Sequence, residues 1–226
     1  GWMVFSPDGR HLATGTETVE QETRDRPGQV HTQTIRVWSM EDFSPVTDEL
    51  PFNQIIMGGE FDATGRHLVV NGYTGFQMFD CEKGIATTPY LSMREVMGYL
   101  PMRFVPHTSS VISCAQRWNV SDGRAIDDLF EDPQRAFGMA FSKEGSLLAT
   151  GHEGYLNVWK LPAGRRKFPA VPFGDSMSGI PNRVAITNDN RFAVVAVGMG
   201  FVVIDIVKGH RVSQRMAHES SVNDIA

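Results

Sequence analysis

Residues 136–164 read AFGMAFSKEGSLLATGHEGYLNVWKLPAG, three short apolar strands joined by two tight turns. AFGMAF is apolar and aromatic, and SKEG after it is a turn in which Gly145 is free to take a positive φ. SLLAT is a second strand and GHEG a second turn. In YLNVW, Leu156 and Val158 alternate with Tyr155, Asn157 and Trp159, the period-two pattern of a strand. KLPAG then turns the chain into a fourth segment over residues 165–171. A four-stranded antiparallel unit of this size cannot bury both of its faces, so it needs neighbours of its own kind.

Those neighbours are legible on either side. VFSPDGRHLATG at 4–15 is closed by TIRVW at 34–38, and EFDATGRHLVVNGYTGFQMFD occupies 60–80. An irregular copy carries RFVP at 103–106 and QRWNVSDGRAI at 116–126, and VAITNDNRFAVVAVGMGFVVIDIVKG fills 184–209. The closing positions Trp38, Phe79, Trp118, Trp159 and Ile204 stand 41, 39, 41 and 45 residues apart. An apolar–Phe–Ser–Pro–Asp–Gly–Arg run, then Leu–Ala–Thr–Gly, then a strand ending in Trp resembles the WD-repeat β-propeller family, whose period is roughly 40–45 residues. The style of the copies is most similar to repeats of large bacterial multidomain proteins, some of which carry a kinase or protease domain elsewhere.

The fold this resemblance implies is all-β: a β-propeller of about five four-stranded antiparallel WD-like blades, an incomplete portion of a larger ring. The blades fall near 1–50, 51–92, 93–132, 133–173 and 174–216, with 217–226 opening a further one, all within a single propeller segment. Residues 2–5 and 221–226 both read as innermost strands. That redundancy predicts uncovered sheet faces and self-association of the isolated segment.

Bulk properties fit a β protein and exclude several function classes. Hydrophobic residues make up 41% and the net charge is −5, which gives no general attraction to nucleic acid or an anionic membrane. No apolar run approaches the roughly 18–20 residues of a membrane span. Cys81 and Cys114 stand in no metal-ligand spacing and suit a reducing, cytoplasmic compartment. His11 and His67 recur at the same turn of two copies, which argues for a packing or hydrogen-bonding role over a metal site. No P-loop, HExxH or calcium loop occurs. Ser176 lacks the G-x-S-x-G spacing, and Gly198 and Gly200 lack the third glycine of a dinucleotide fingerprint. No cofactor, metal or catalytic residue is expected.

Departures from the repeat mark candidate surfaces. Residues 16–33 replace a turn of about four residues, and their polar composition with Pro27–Gly28 predicts a protruding loop. The third copy is compressed, which predicts shortened inner strands. The basic cluster at 164–167 reads as a solvated turn, because no aromatic interleaving accompanies it. The carboxylates Asp127, Asp128, Glu131 and Asp132 likewise read as solvated charge.

The resemblance further implies a buried relay of His, Ser or Thr, Asp and Trp within a blade. Thr14 with Trp38 and Thr150 with Trp159 fill two of its places, and Glu153 stands near the Asp place of the fourth copy. The His place holds Phe52, Glu95, Asp132 and Met177 in copies two to five, and only His218 matches it, so no complete relay is expected. The function this reading supports is a non-catalytic protein–protein interaction scaffold presenting loops on one rim. Its partner-binding residues are Phe52, Tyr73, Gln134, Arg135, Glu153, Phe173, Met177 and Met199, all in connections, several of them of the types enriched at interfaces. Two alternatives stand beside it: a sensor or regulatory segment of a larger bacterial chain with a kinase or protease domain, and a propeller binding a small ligand in its central channel. The channel reading needs convergent polar groups on the innermost strands, where Val4, Phe61, Met139, Phe141, Val184 and Ile186 stand instead.

Overall fold

The computed structural model describes residues 1–19, 31–52, 54–92, 102–113, 116–128, 136–173 and 181–222. Among them the regular elements are strands, arranged as five antiparallel sheets in chain order. The first sheet has β1 (Trp2–Phe5), β2 (His11–Val19), β3 (His31–Ser39) and β4 (Leu50–Phe52), each beside the next. The second repeats that order with β5 (Gly58–Phe61), β6 (His67–Asn71), β7 (Gly75–Asp80) and β8 (Ile85–Ala86), and β9 (Leu91–Ser92) also pairs with β7. The third has β10 (Met102–Phe104), β11 (Ser110–Ser113), β12 (Gln116–Asn119) and β13 (Ala125–Asp128). The fourth has β14 (Gly138–Phe141), β15 (Leu147–His152), β16 (Tyr155–Lys160) and β17 (Arg165–Arg166), with β18 (Val171–Pro172) also on β16. The fifth has β19 (Pro181–Ile186), β20 (Phe192–Val197), β21 (Gly200–Asp205) and β22 (His210–Arg211), with β23 (Met216–Ala217) also on β21.

Equivalent main-chain bonds put the five sheets in register. Met40, Cys81, Val120, Leu161 and Ile206 each donate an amide to the carbonyl of Arg10, Arg66, Ser109, Ser146 and Arg191 in turn, at 2.7–3.0 Å. Two residues before those donors stand Trp38, Phe79, Trp118, Trp159 and Ile204. Four residues after the acceptors stand Thr14, Val70, Ser113, Thr150 and Val195. The turn between the first two strands is closed by a side chain. Ser6, Ser142 and Thr187 accept the amides of His11, Leu147 and Phe192 at 2.9–3.0 Å. Asp62 does the same for His67 and also bonds its Nδ1 at 2.8 Å. The hydroxyls of Ser6 and Thr187 donate in turn to Asp8 and Asp189, and hold both carboxyls below their usual range.

The described chain divides into two compact units, one of 1–104, 109–111 and 118–125, the other of 105–108, 112–117 and 126–226. In the first unit, Ala13, Ile35, Val37, Leu50 and Phe52 pack on Phe61, Leu68, Val70 and Phe79. The opposite face of the second sheet, with Val69, Phe76 and Met78, packs on Met102, Val111 and Val120. In the second unit, Met139, Leu148 and Trp159 pack on Val105 and Ile112. The other face of the fourth sheet, with Ala149, Leu156 and Val158, packs on Val195, Val202 and Ile204. Coverage on both faces is why β15 and β16 are buried almost throughout instead of alternating.

The segment expected as a loop over 16–33 is in part a hairpin. Strand β2 runs to Val19 and β3 resumes at His31, in unbroken register through Thr18↔Thr32 and Val19↔His31. Thr16 and Thr34 meet through their hydroxyls at 2.9 Å. β-Branched residues on both arms stabilise pairing there in spite of the polar composition. Among the described residues β11 and β12 have four residues each, where β15 and β16 have six.

Candidate functional site

The turns between second and third strands carry three of the expected partner-binding residues. Asn71 pairs with Phe76, His152 with Tyr155, and Val197 with Gly200, so each turn closes the same hairpin of its own sheet. Tyr73 (46% exposed), Glu153 and Met199 (50% exposed) stand at these three turns with their side chains open to solvent. Short paired strands on either side fix where each turn projects. Gln134, Arg135 and Met177 lie outside the described residues.

Phe52 and Phe173 are placed differently from the expectation. Both rings are fully buried: Phe52 packs edge-on to Tyr90 at 5.9 Å, and Phe173 joins the cluster between the fourth and fifth sheets. Each ends an outer strand segment that folds back beside the third strand, with Gln33↔Phe52 in register and the Phe173 amide on the Gly154 carbonyl at 2.8 Å. Apolar burial withdraws these two rings from any contact surface.

The polar interior holds part of such a relay, short of a complete one. In the fourth sheet Trp159 Nε1 donates to Thr150 Oγ1 at 2.8 Å, and Thr150 Oγ1 lies 2.9 Å from His152 Nε2. All three residues are buried, and the His152 ring stacks on Tyr155 at 4.8 Å. A three-membered chain therefore forms with its histidine supplied from the second strand, two residues beyond the threonine. In the first sheet Trp38 Nε1 donates to Thr14 Oγ1 at 2.9 Å, with no histidine beyond it in register. Where the closing residue is Phe79 or Ile204, which have no N–H to satisfy, the facing position is Val70 or Val195. His218 instead donates its amide to the Met199 carbonyl and lies 5.9 Å from the Phe201 ring. Of the two turn histidines, His67 bonds Asp62 and His11 stacks on Phe61 at 6.4 Å.

A second polar cluster sits on the first strands. Glu60 of β5 accepts the Phe104 amide at 2.9 Å and faces Arg103 of β10 at 3.7 Å. Burial pushes the Glu60 carboxyl above its usual range, with Arg103 opposing. Because the folded value is raised, the group's contribution to stability is fully present at acid pH and is lost as pH rises through that value. Glu60→Gln keeps the acceptor for Phe104 and removes the charge. Its melting temperature should exceed the parent's at neutral pH and converge with it near pH 4. A variant that melts lower at neutral pH would show that the ion pair outweighs desolvation.

No protein-family model matches the chain, and no curated protein matches it. Among the described residues no group of three His, Cys, Asp or Glu could hold a metal ion, and no helix is long and apolar enough to cross a membrane. Cys81 is buried, and desolvation pushes its thiol up to about 12, so the reactive thiolate is suppressed.

Proposed function

We propose that the chain is a non-catalytic protein-interaction scaffold built as part of a WD-like propeller, with its second-to-third-strand turns read by a partner. The observation that supports this most is the exposure of Tyr73, Glu153 and Met199 at matching turns of the second, fourth and fifth sheets, each set on strands with packed cores. Tyr and Met offer contact area at modest entropic cost, and rigid hairpins limit the ordering cost of binding. In a ring of such sheets these turns would share one rim, with the long β2–β3 hairpin as their counterpart in the first sheet. Glu60 is already engaged by the Phe104 amide and faces Arg103 at 3.7 Å, which leaves the ligand-channel alternative weaker support.

The test is quantitative proximity labelling or co-purification from a host cell with Tyr73→Ala, Glu153→Lys and Met199→Asp. All three should lose one shared partner by at least about tenfold, which is about 1.4 kcal/mol, while melting temperatures stay within those of surface substitutions. Retention of every partner by all three variants, or substrate turnover that vanishes with Glu60→Gln, would overturn the scaffold reading.

A further inference from the structure

The outer segment of the fourth sheet departs from the others in a way that builds a groove against the fifth. In three sheets a hydroxyl on the outer strand accepts a third-strand amide: Thr47 from Val37 at 3.1 Å, Thr88 from Met78 at 3.1 Å, and Ser213 from Val203 at 2.8 Å. Each hydroxyl follows a residue whose amide bonds the same third strand, and Lys167, bonded to the Val158 carbonyl, marks that place in the fourth sheet. The next residue there is Phe168. Its ring lies against Gly209, where an added Cβ would come within 2.8 Å of the ring, and Gly209 also holds φ +76°. Only glycine fits both demands. The turn carrying Lys208 and Gly209 thus seats on Phe168 and brings β22 alongside residues 169–172.

Between them is a groove of about 440 Å³ lined by residues 169–172 and 209–211. Pro169, Val171 and Pro172 give it apolar walls, and His210 and Arg211 a polar one, with Arg211 donating to the Phe173 carbonyl. Residues 160–173 and 206–217 hold seven Lys and Arg and no Asp or Glu, in a chain whose net charge is −5. Asp205, which precedes the second of these stretches, is buried and caps the Val207 and Lys208 amides. Arg165, Lys167 and Arg211 have no carboxylate partner among the described residues. Strand β22 is the last in its sheet's path, and a terminal strand is where an extended chain can add to a sheet.

We propose that this groove binds an extended acidic peptide segment in which an aliphatic or aromatic residue is flanked by carboxylates. The apolar walls take the central side chain, and the cations on both sides take the acids. Single-stranded nucleic acid fits less well, because its bases need exposed aromatic platforms and Phe168 is occupied by Gly209. The surface belongs to outer strands, not to the hairpin turns, so the proposal stands apart from the scaffold reading and survives its failure.

The test is fluorescence anisotropy with a labelled peptide of alternating Glu and Leu, against a Glu–Ser peptide, a Lys–Leu peptide, an oligothymidylate and vesicles containing phosphatidylserine. The Glu–Leu peptide should bind best, at least tenfold tighter than Glu–Ser. Arg165→Glu and Lys167→Glu, in the segment that leads into the groove's lining residues and outside the apolar core, should each weaken it at least tenfold with unchanged melting temperature, while Arg10→Glu in the first sheet should have no effect. Equal binding of Glu–Leu and Glu–Ser, indifference to both groove variants, or tighter binding of the oligonucleotide or vesicles would overturn the proposal.

Discussion

Trp159→Ala should cost about 3–5 kcal/mol, the range for emptying a large buried aromatic site. The indole is 1% exposed, packs on Leu148 and Ile112, and has the Arg166 guanidinium 5.3 Å from its ring. Thr150→Val should cost about 1–3 kcal/mol, because it leaves Trp159 Nε1 buried without its acceptor and takes one partner from His152. Combining Trp159→Phe with Thr150→Val should cost less than the sum of the single changes by on the order of 1 kcal/mol, since the orphaned N–H disappears with the acceptor. Thr150→Ser, which keeps the hydroxyl, should be milder than Thr150→Val. Trp38 makes the same bond to Thr14 but is only half-buried, so Trp38→Ala should cost less than Trp159→Ala. Equilibrium denaturation decides. A loss under about 1 kcal/mol for Trp159→Ala, or strict additivity in the cycle, would remove the indole–hydroxyl bond from the account of this sheet.

Met139→Asp should unfold the fourth sheet, while Met3→Asp should leave stability nearly unchanged and alter association instead. The two methionines occupy one position of the repeat. Met3, Phe5, Leu12, Thr14 and Trp38 in the first sheet match Met139, Phe141, Leu148, Thr150 and Trp159 in the fourth, residue type for residue type and in the same register. Met139 is 2% exposed, whereas Met3 is 68% exposed. Placing a carboxylate at Met139 buries an unpaired charge, at a cost of about 4 kcal/mol or more, a large part of a domain's stability. At Met3 the same carboxylate stays in water and should cost within about 0.5 kcal/mol. The open face is apolar and has the composition of a face that is buried elsewhere in the same chain, so the parent protein should self-associate with concentration and Met3→Asp should suppress it. Sedimentation and thermal melts of both variants separate the effects. A parent chain that stays monomeric at every concentration, or equal destabilisation by the two substitutions, would show that the faces are not equivalent.

Strands and turns were largely legible because both carry local signals. The apolar runs of 136–164 become β14, β15 and β16 with shifts of one or two residues, and Gly145 takes φ +68° at the turn read for it. The β2–β3 extension was hidden because its threonines sit among charges, so composition outweighed pairing. Burial of Phe52 and Phe173 had no local signal: each reads in the sequence as part of a connection, and only the return of the outer strand along the third one covers it. His152 carries a signal of its own, since two residues along a strand place it on the same face as Thr150. The groove was illegible because its two basic halves lie one repeat apart, joined only when Phe168 meets Gly209.

The pairing of closing residue with facing side chain has a consequence for how such a chain can diverge. Trp stands with Thr in the first and fourth sheets, Phe with Val in the second and Ile with Val in the fifth. Passing from one combination to the other takes two changes, and the order matters: a lone valine orphans the indole N–H, whereas a lone phenylalanine leaves the Thr150 hydroxyl its His152 partner and the Thr14 hydroxyl the Arg36 carbonyl. Neutral drift at these two sites is therefore coupled. The indole should be lost before the hydroxyl and regained after it, and the repeats lose their likeness in ordered steps while the sheets keep theirs.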